Sequence, residues 1–233
     1  MIYIIIPVYN RLELTLKCLD SLKNQNNFKD LNIIIVDDGS TDGTNEFLKE
    51  NYKDITILNG NGNLFSAGCF ELGIEFVLKI CKTKDWILLV SNDSELDKNA
   101  IVELVKFSEK KDRKILTGAL TINALDGSTI IRSGTIIKSW FFNFTEHVFD
   151  GLSIKDKQNL QLTKVDFLPG RCLLHPVEMF KIVGNYNPKK FKHYGNDEEF
   201  AVRAKKLGYP SWLCVSSLTY VRANDEIIRK GFT

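Results

Sequence analysis

The sequence predicts an α/β protein: a Rossmann-like, mixed but mainly parallel sheet flanked by helices. Short apolar runs of strand length alternate with helical patterns through the first half of the chain. Two of these runs, 33–36 and 86–90, end in polar turns that carry carboxylates. Because ligands bind outside the carboxyl ends of the strands in such sheets, the two turns predict one shared ligand site.

The first half supplies most of the parallel sheet. Residues 2–7 form a continuous apolar run, typical of a strand buried on both faces. Leucines at 12, 16, 19 and 22 then mark one helical face, with Asn10 as candidate N-cap and Glu13 as its capping-box partner. The other predicted strands are 33–36, 55–58 and 86–90. The other predicted helices are one through 47–48 capped by Ser40 or Thr41, then 67–80 and about 98–108.

The pattern becomes mixed after residue 114. Strands are predicted at 115–122, 129–133, 135–138, 165–168 and 172–174, and helices at 176–183 and 196–207, with Gly208 ending the last one. We interpret 1–233 as a single domain. Residues 1–110 form a nucleotide-binding half, 111–222 an acceptor and catalytic half, and 223–233 a polar, basic tail.

Composition excludes several classes of protein. The 233 residues are 44% apolar and 26% charged with a net charge of +2, which is ordinary for a globular protein and disfavours a nucleic-acid binder. The five cysteines form no C-x-x-C pair, which disfavours zinc and fits a reduced compartment. No apolar run approaches the ~20 residues of a membrane span, and the first residues lack a signal-peptide pattern. We expect a cytoplasmic protein that could rest on the inner face of a membrane.

Each candidate site residue in the first half has a functional and a purely structural interpretation. Tyr9, at the end of the first strand, could stack on a nucleobase or simply pack on the next helix. Asp38 could accept a hydrogen bond from a base, or it could be a turn residue. The glycine loop 59–64 precedes a helix, but it lacks the spacing of a P-loop and does not follow the first strand. An ATPase and a dinucleotide-binding protein are therefore disfavoured.

Two acidic positions could carry chemistry. Asp93 could hold a divalent cation whose other ligands come from a diphosphate, or it could cap a helix. Asp197 opens a helix together with two glutamates, so it could be a general base or could simply compensate the helix dipole. Arg171 could line a sugar or acceptor pocket, or lie on the surface. His193 has the same two interpretations.

The order of these motifs is more specific than any one of them. The chain presents PVYN (7–10), VDDGSTDGT (36–44), GNGNLFSAG (60–68), SNDS (91–94), LPGRCLL (168–174) and HYGNDEEFAVRAKKLGY (193–209). This series resembles the inverting family 2 glycosyltransferases with the GT-A fold, and it covers residues 2 to about 209. The glycine loop and the last segment look like a rhamnosyltransferase-like subgroup associated with bacterial surface polysaccharides.

The resemblance implies roles for the nucleotide half. Pro7 and Tyr9 match positions that hold the base, and Asp38 matches one that hydrogen-bonds a pyrimidine ring. Asn92 lies in the family's D-x-D-like turn, and Asp93 matches its metal-binding aspartate, which implies Mg²⁺ or Mn²⁺. Ser91 replaces the frequent first acid of that turn. A late histidine that often completes the metal site has no counterpart at 219–222.

The resemblance also implies the reaction. Asp197 matches the catalytic base, and Asn196 stands where glutamate is frequent. The implied activity moves a sugar from a UDP- or dTDP-sugar to a hydroxyl of a glycan or lipid-linked acceptor with inversion. Two alternatives remain at this stage. One is a sugar nucleotidyltransferase, which usually has an early glycine-rich loop that this chain lacks. The other is a non-catalytic nucleotide-sugar binding module, which Asp197 disfavours.

Overall fold

The computed structural model describes residues 1–26, 31–139, 141, 144–160, 163–192 and 194–222. Its strands are β1 Ile2–Val8, β2 Leu31–Asp37, β3 Thr56–Asn59, β4 Trp86–Val90, β5 Ser94–Leu96, β6 Leu116–Asn123, β7 Ile130–Arg132, β8 Thr135–Ser139, β9 Phe144–His147, β10 Thr163–Val165, β11 Cys172–Pro176 and β12 Ser211–Val221. Its α-helices are α1 Leu12–Lys23, α2 Thr44–Asn51, α3 Phe65–Ile80, α4 Ala100–Glu109, α5 Val177–Val183 and α6 Asn196–Lys206, and a 3₁₀ segment covers Ile154–Asn159.

One large sheet runs through both halves of the chain. Its strand order is β10-β12-β6-β11-β4-β1-β2-β3, with β5 paired to β12 and β7 to β6. The pairs β1–β2, β1–β4, β2–β3 and β6–β12 are parallel, whereas β11 is antiparallel to both of its neighbours. The predicted mixed, mainly parallel α/β architecture is therefore confirmed.

Helices cover both faces of the sheet. Along β1, Ile5 belongs to the core cluster shared with α3, α5 and α6, whereas Ile4 and Ile6 belong to the cluster shared with α1, α2 and α4. This alternation follows from the two-residue period of a strand. A strand flanked in this way is apolar at every position, which explains the unbroken run of residues 2–6. No helix in the described ranges is long and apolar enough to cross a bilayer.

The sequence analysis missed the longest strand, β12. Its interior contains Ser216 and Ser217 next to a shift in pairing register, which breaks the apolar alternation. Ser217 is nevertheless buried, and its hydroxyl donates to the carbonyl oxygen of Ala100 at 3.0 Å. The short strands β5 and β9 were also missed, and β10 lies at Thr163–Val165 rather than 165–168. β5 and β10 both pair with β12, which is distant in sequence, whereas β9 forms an antiparallel hairpin with the adjacent β8.

Both predicted helix caps in the first half are wrong. At α1 the N-cap is Arg11, in the left-handed region at φ 64°, and no side chain caps the helix. The Asn10 side chain instead accepts a hydrogen bond from the Thr41 amide at 2.8 Å. At α2 the N-cap is Gly43, at φ 84°, rather than Ser40 or Thr41. Residues expected to cap helices therefore tie the β1 and β2 loops together.

Gly73 gives a stability prediction for the contact between α3 and β1. A Cβ at this position would lie 2.5 Å from Cγ2 of the buried Ile5. We expect Gly73→Ala to lower the free energy of unfolding by about 1–2 kcal/mol, because overpacking outweighs alanine's better helix propensity. Urea unfolding measures this change. Glu75→Ala, at an exposed position of the same helix, is the control, and equal stability of the two variants would contradict the packing argument.

Candidate active site

Two adjoining cavities lie at the carboxyl ends of β1, β2 and β4. The first, about 420 Å³, is lined by residues from the ends of β1 and β2 and the start of α3, including Tyr9 and Asp38. The second, about 330 Å³, is lined by residues of the β4–β5 turn, the segment before β11 and the start of α6. Pro7, Ser66 and Asn92 line both. The two cavities therefore form one cleft with a shared wall.

The floor of the first cavity is built by two interlocked loops. The Asp38 amide donates to the carbonyl oxygen of Val8 at 2.8 Å, and the Asn10 amide donates to the Ser40 hydroxyl at 2.8 Å. Tyr9 projects from this floor with 58% of its surface exposed. An aromatic ring held on a cross-linked loop but open to solvent can stack on a flat ligand without reorganisation of the backbone.

The Asp38 carboxylate organises the glycine loop. It accepts hydrogen bonds from the backbone amides of Gly62, Leu64 and Phe65, each at 2.9 Å. A Cβ on Gly60 would approach Asp38 Oδ1 to 2.5 Å, so this loop needs glycine in order to wrap the carboxylate. The loop amides thus bind a protein carboxylate. A carboxylate accepts about four hydrogen bonds, so Asp38 keeps one position, on Oδ1, for a ligand N–H.

The turn after β4 places Asp93 against Arg171. Arg171 Nη1 lies 3.0 Å from Oδ2 and 3.2 Å from Oδ1 of Asp93. Ser91, the residue without the expected carboxylate, donates its hydroxyl to the carbonyl oxygen of Gly170 at 3.4 Å. Asn92 donates its side-chain amide to the Thr15 hydroxyl at 3.2 Å, which ties the turn to α1. The turn is therefore ordered by the protein's own contacts.

The donor set at this turn does not form a metal site by itself. The part of the chain that the structure describes contains no group of three or more His, Cys, Asp or Glu side chains that could hold a cation. Both oxygens of the single carboxylate, Asp93, already face a guanidinium. A divalent cation at Asp93 would have to displace Arg171 and would need most of its ligands from a bound substrate.

Asp197 opens α6 and faces the second cavity, across from the β4 turn. Its Oδ1 is fully buried and accepts no hydrogen bond from the part of the chain that the structure describes. The carboxyl group packs against Gly170, where an added Cβ would lie 2.2 Å from Oδ2. Glycine is thus the residue that lets the segment before β11 approach Asp197. Burial raises the pKa of Asp197 to about 7, and the negative charge of Glu198 adds to this effect.

An aromatic cluster behind the cleft fixes the position of α6. The Phe200 ring is fully buried and stacks on Tyr186, with ring centroids 4.5 Å apart. His175 lies edge-on to Phe200 at 5.5 Å, and burial lowers its pKa to about 3, so it packs as a neutral ring. Arg203 pairs with Glu199 at 2.8 Å and donates to the carbonyl oxygens of Val183 and Asn185. These contacts hold the start of α6, and hence Asp197, in place.

All described site residues of the sequence prediction line this cleft. Pro7, Tyr9, Asp38 and Asn92 line the first cavity, and Asn92, Asp93, Arg171, Asn196 and Asp197 line the second. Their individual roles stay predictions. His193 lies outside the described residues. The sequence analysis did not single out Ser66, Phe70 or Glu198 as site residues, although all three line the second cavity. Ser66 follows the glycine loop and Glu198 follows Asp197. Their positions next to these motifs could have indicated that both residues line the site.

Comparisons with known proteins identify the family. Residues 3–173 match the family model described as glycosyl transferase family 2. The chain belongs to this family. It is 35% identical over 123 residues to poly(ribitol-phosphate) beta-glucosyltransferase of Bacillus spizizenii, covering 51% of this chain and 19% of that protein. It is 25% identical over 244 residues to glycosyltransferase GlyG of Streptococcus pneumoniae, covering 100% of this chain and 74% of that protein.

The structural comparison agrees with the family assignment. The crystal structure of GalNAc-T7 with UDP, GalNAc and Mn²⁺ superposes with a TM-score of 0.75 at 16% identity, covering 95% of this chain and 43% of that one. At this identity the likeness concerns the fold, and it confirms the predicted GT-A architecture. The family 2 chain described here spans less than two thirds of GalNAc-T7 and of the Bacillus relative.

Gly170 yields a test of how closely Asp197 must be placed. Gly170→Ala would put a methyl group within 2.2 Å of Asp197 Oδ2, so the carboxylate must move. If Asp197 is the predicted catalytic base, we expect sugar transfer to fall at least about a hundredfold, since displacing a catalytic group by ~1 Å has costs of this size. Nucleotide binding, measured by calorimetry, should stay nearly unchanged and serves as the internal control. Full turnover by this variant would show that the contact does not matter for catalysis.

The raised pKa of Asp197 makes folding stability depend on pH. The folded form binds its proton up to about pH 7, whereas the unfolded form releases it near the ordinary value of about 3.9. Ionising the buried group therefore costs stability progressively as the pH rises from about 4 through 7. We expect Asp197→Asn to raise the melting temperature at pH 8 and to leave it nearly unchanged at pH 4. Asp54→Asn, at an exposed site, is the control, and a lower melting temperature of Asp197→Asn at pH 8 would contradict the assignment.

Proposed function

We propose that this chain is an inverting glycosyltransferase. It would move a sugar from a nucleoside-diphosphate sugar of the UDP or dTDP type to a hydroxyl of a glycan or lipid-linked acceptor. The observation that carries this proposal is the carboxylate of Asp197. Its Oδ1 is buried with no hydrogen-bond partner among the described residues, and it lies in the same cleft as the residues predicted to bind the nucleotide. Family membership supports glycosyl transfer. The position of Asp197 in the cleft supports a single displacement in which one carboxylate acts as the base.

The proposed reaction has one step. An acceptor hydroxyl oxygen attacks the anomeric carbon, and a new carbon–oxygen bond forms on the face opposite the departing diphosphate. The acceptor proton passes to Asp197, and the electron pair of the broken bond leaves with the diphosphate. A base with a pKa of about 7 is suited to this task near neutral pH, because it is ionised in a large fraction of molecules and still accepts a proton readily.

The nucleotide half would hold the donor by its base. Tyr9 offers an exposed ring for stacking, and Asp38 Oδ1 keeps one acceptor position for a base N–H. Pro7 and Asn92 belong to the wall shared by the two cavities, between the base and the reacting carbon. UDP in the structure of GalNAc-T7 supports a pyrimidine donor for this chain. Asn196, buried with an unpartnered side-chain nitrogen at the start of α6, would contact the transferred sugar or the acceptor.

The acceptor would enter from the second half of the chain. A further cavity of about 660 Å³ borders the cleft at Gly195 and Glu198, and its lining includes Ile137, Phe167 and Val202. A mostly apolar cavity next to the base fits the non-reacting part of an acceptor. The name of the Bacillus relative, a glucosyltransferase of poly(ribitol-phosphate), supports a polymeric acceptor that carries free hydroxyl groups.

A divalent cation is the least supported part of the prediction. Mn²⁺ is present in the structure of GalNAc-T7, and such a cation neutralises charge on a leaving diphosphate. In this chain Asp93 would be its carboxylate ligand, and the contact between Asp93 and Arg171 stands in the way. Mg²⁺ or Mn²⁺ at Asp93 therefore stays a prediction, and no step of the proposed transfer depends on either ion.

Transfer assays test the proposed function. We expect a panel of UDP- and dTDP-sugars to yield a product whose anomeric configuration, read by NMR, is inverted. Asp197→Asn should reduce transfer at least about a thousandfold while UDP still binds, because the variant retains the shape of the site but cannot take the proton. The rate should rise with pH through about 7 as Asp197 ionises.

Other outcomes would favour other functions. Release of pyrophosphate from a nucleoside triphosphate and a sugar phosphate would indicate a sugar nucleotidyltransferase. Nucleotide-sugar binding with neither transfer nor slow donor hydrolysis would indicate a binding module. Normal turnover by Asp197→Asn would remove the base assignment.

A further inference from the structure

The backbone fixes Arg171 beside the end of β4. β11 runs antiparallel to β4, with Cys172 opposite Val90. One residue beyond this pair, the Ser91 amide donates to the carbonyl oxygen of Arg171 at 3.1 Å. Arg171 is therefore held by the sheet itself, directly across from the turn that carries Asp93. Its position needs no further ordering when a ligand binds.

The Arg171 guanidinium is only partly used by the protein. Nη1 faces both oxygens of Asp93, at 3.0 and 3.2 Å. A guanidinium has five N–H donors, so Nε and Nη2 retain three of them. These two nitrogens make no hydrogen bond to any described residue, and neither is among the described atoms that are buried without a partner. They are therefore open to the cleft, whose second cavity Arg171 lines together with Asn92 and Asp197.

The contact with Asp93 aligns this cation. Both side chains are largely covered, with exposed fractions of 21% for Arg171 and 26% for Asp93. A charged hydrogen bond is stronger in such a partly desolvated place than on the open surface. Arginine also stays protonated at all relevant pH values, and its planar fork matches the oxygens of a phosphate group. The pair thus presents a permanent, oriented set of phosphate-binding donors.

We propose that Arg171, held by Asp93, is the cation that binds the diphosphate of the donor and stabilises the negative charge that develops on the diphosphate as it leaves. This chain then needs no divalent metal ion. The inference rests on the proposed function, since it requires a nucleoside-diphosphate donor. It follows from the mismatch between a metal site and the donor set, in which Ser91 replaces a carboxylate and the one carboxylate present already binds a guanidinium. Arg171 then acts as a catalytic residue, and Asp93 positions it.

This assignment and a metal site at Asp93 predict opposite results for one substitution. If Asp93 binds a metal, Asp93→Asn removes the ligand and nucleotide binding is lost. If Asp93 positions Arg171, Asp93→Asn also removes a negative charge beside the diphosphate, and the asparagine oxygen can still accept from the guanidinium. UDP should then bind at least as tightly as to the unmodified protein. Arg171→Gln should weaken UDP binding at least about tenfold, because it removes charge-assisted hydrogen bonds.

The experiment is calorimetric titration of the full chain with UDP, dTDP and GDP, each in EDTA and in Mn²⁺. We expect dissociation constants within about threefold of each other in the two buffers, well under the roughly tenfold change that 1.4 kcal/mol would produce. Arg171→Lys keeps the positive charge but lacks the planar guanidinium. Its dissociation constant for UDP should therefore lie between those of Arg171→Gln and the unmodified protein. Thermal unfolding of each variant verifies that it is folded before binding is compared.

Glu178→Gln is the matched control for Asp93→Asn. Glu178 pairs with Arg113 at 3.4 Å, its side chain is 31% exposed, and neither residue of this pair lines the cleft. Loss of this carboxylate should leave nucleotide binding unchanged.

Two results would overturn the assignment, and they can be told apart. Binding only in Mn²⁺, abolished by Asp93→Asn, would establish a metal site and leave the proposed glycosyl transfer intact. Absence of binding of UDP, dTDP and GDP in both buffers would remove the proposed function itself, and the role of Arg171 with it.

Discussion

The antiparallel pairing of β4 with β11 is the constraint on which the site depends. The residues of the first half that could hold a nucleotide follow parallel strands, whereas Arg171 and Gly170 belong to the second half. The Ser91 amide donates a hydrogen bond to the carbonyl oxygen of Arg171, so the antiparallel pairing extends one residue past the end of β4. Arg171 therefore meets Asp93, and Gly170 leaves room for Asp197. If β11 were displaced by one register step, both contacts would be lost.

The start of α6 carries a cost in stability. Among the described residues, the buried Oδ1 of Asp197 and the buried side-chain nitrogen of Asn196 have no hydrogen-bond partner. Each unsatisfied group of this kind costs about 1–3 kcal/mol. The aromatic stack of Phe200 and Tyr186 and the ion pair of Arg203 with Glu199 lie one or two turns further along α6. Their packing keeps the helix start rigid although its first residues are poorly satisfied.

Local sequence patterns predicted the parallel strands and most helices, because a strand buried on both faces is apolar throughout and a helix repeats its apolar face. They failed for β12, whose Ser217 is buried through its contact with α4, and for the caps at Asn10 and Ser40, whose side chains bond across to each other's loops. The site positions followed from motif order. The contact of Arg171 with Asp93 could not be predicted, because 78 residues separate the two along the chain.

The wall shared by the two cavities has a consequence for how this enzyme family can diversify. Asp38 and Tyr9 contribute to the first cavity alone, and Glu198 and Arg171 to the second but not the first. Under the proposed function, substitutions at Asp38 or Tyr9 would alter the preferred base, and substitutions at Glu198 would alter the preferred acceptor, one at a time. A substitution at a residue of the shared wall changes both cavities at once. These residues are Pro7, Ser66 and Asn92. Under the proposed function, the acceptor preference could therefore change through the second cavity alone, whereas a change at the shared wall would affect the nucleotide and the sugar together.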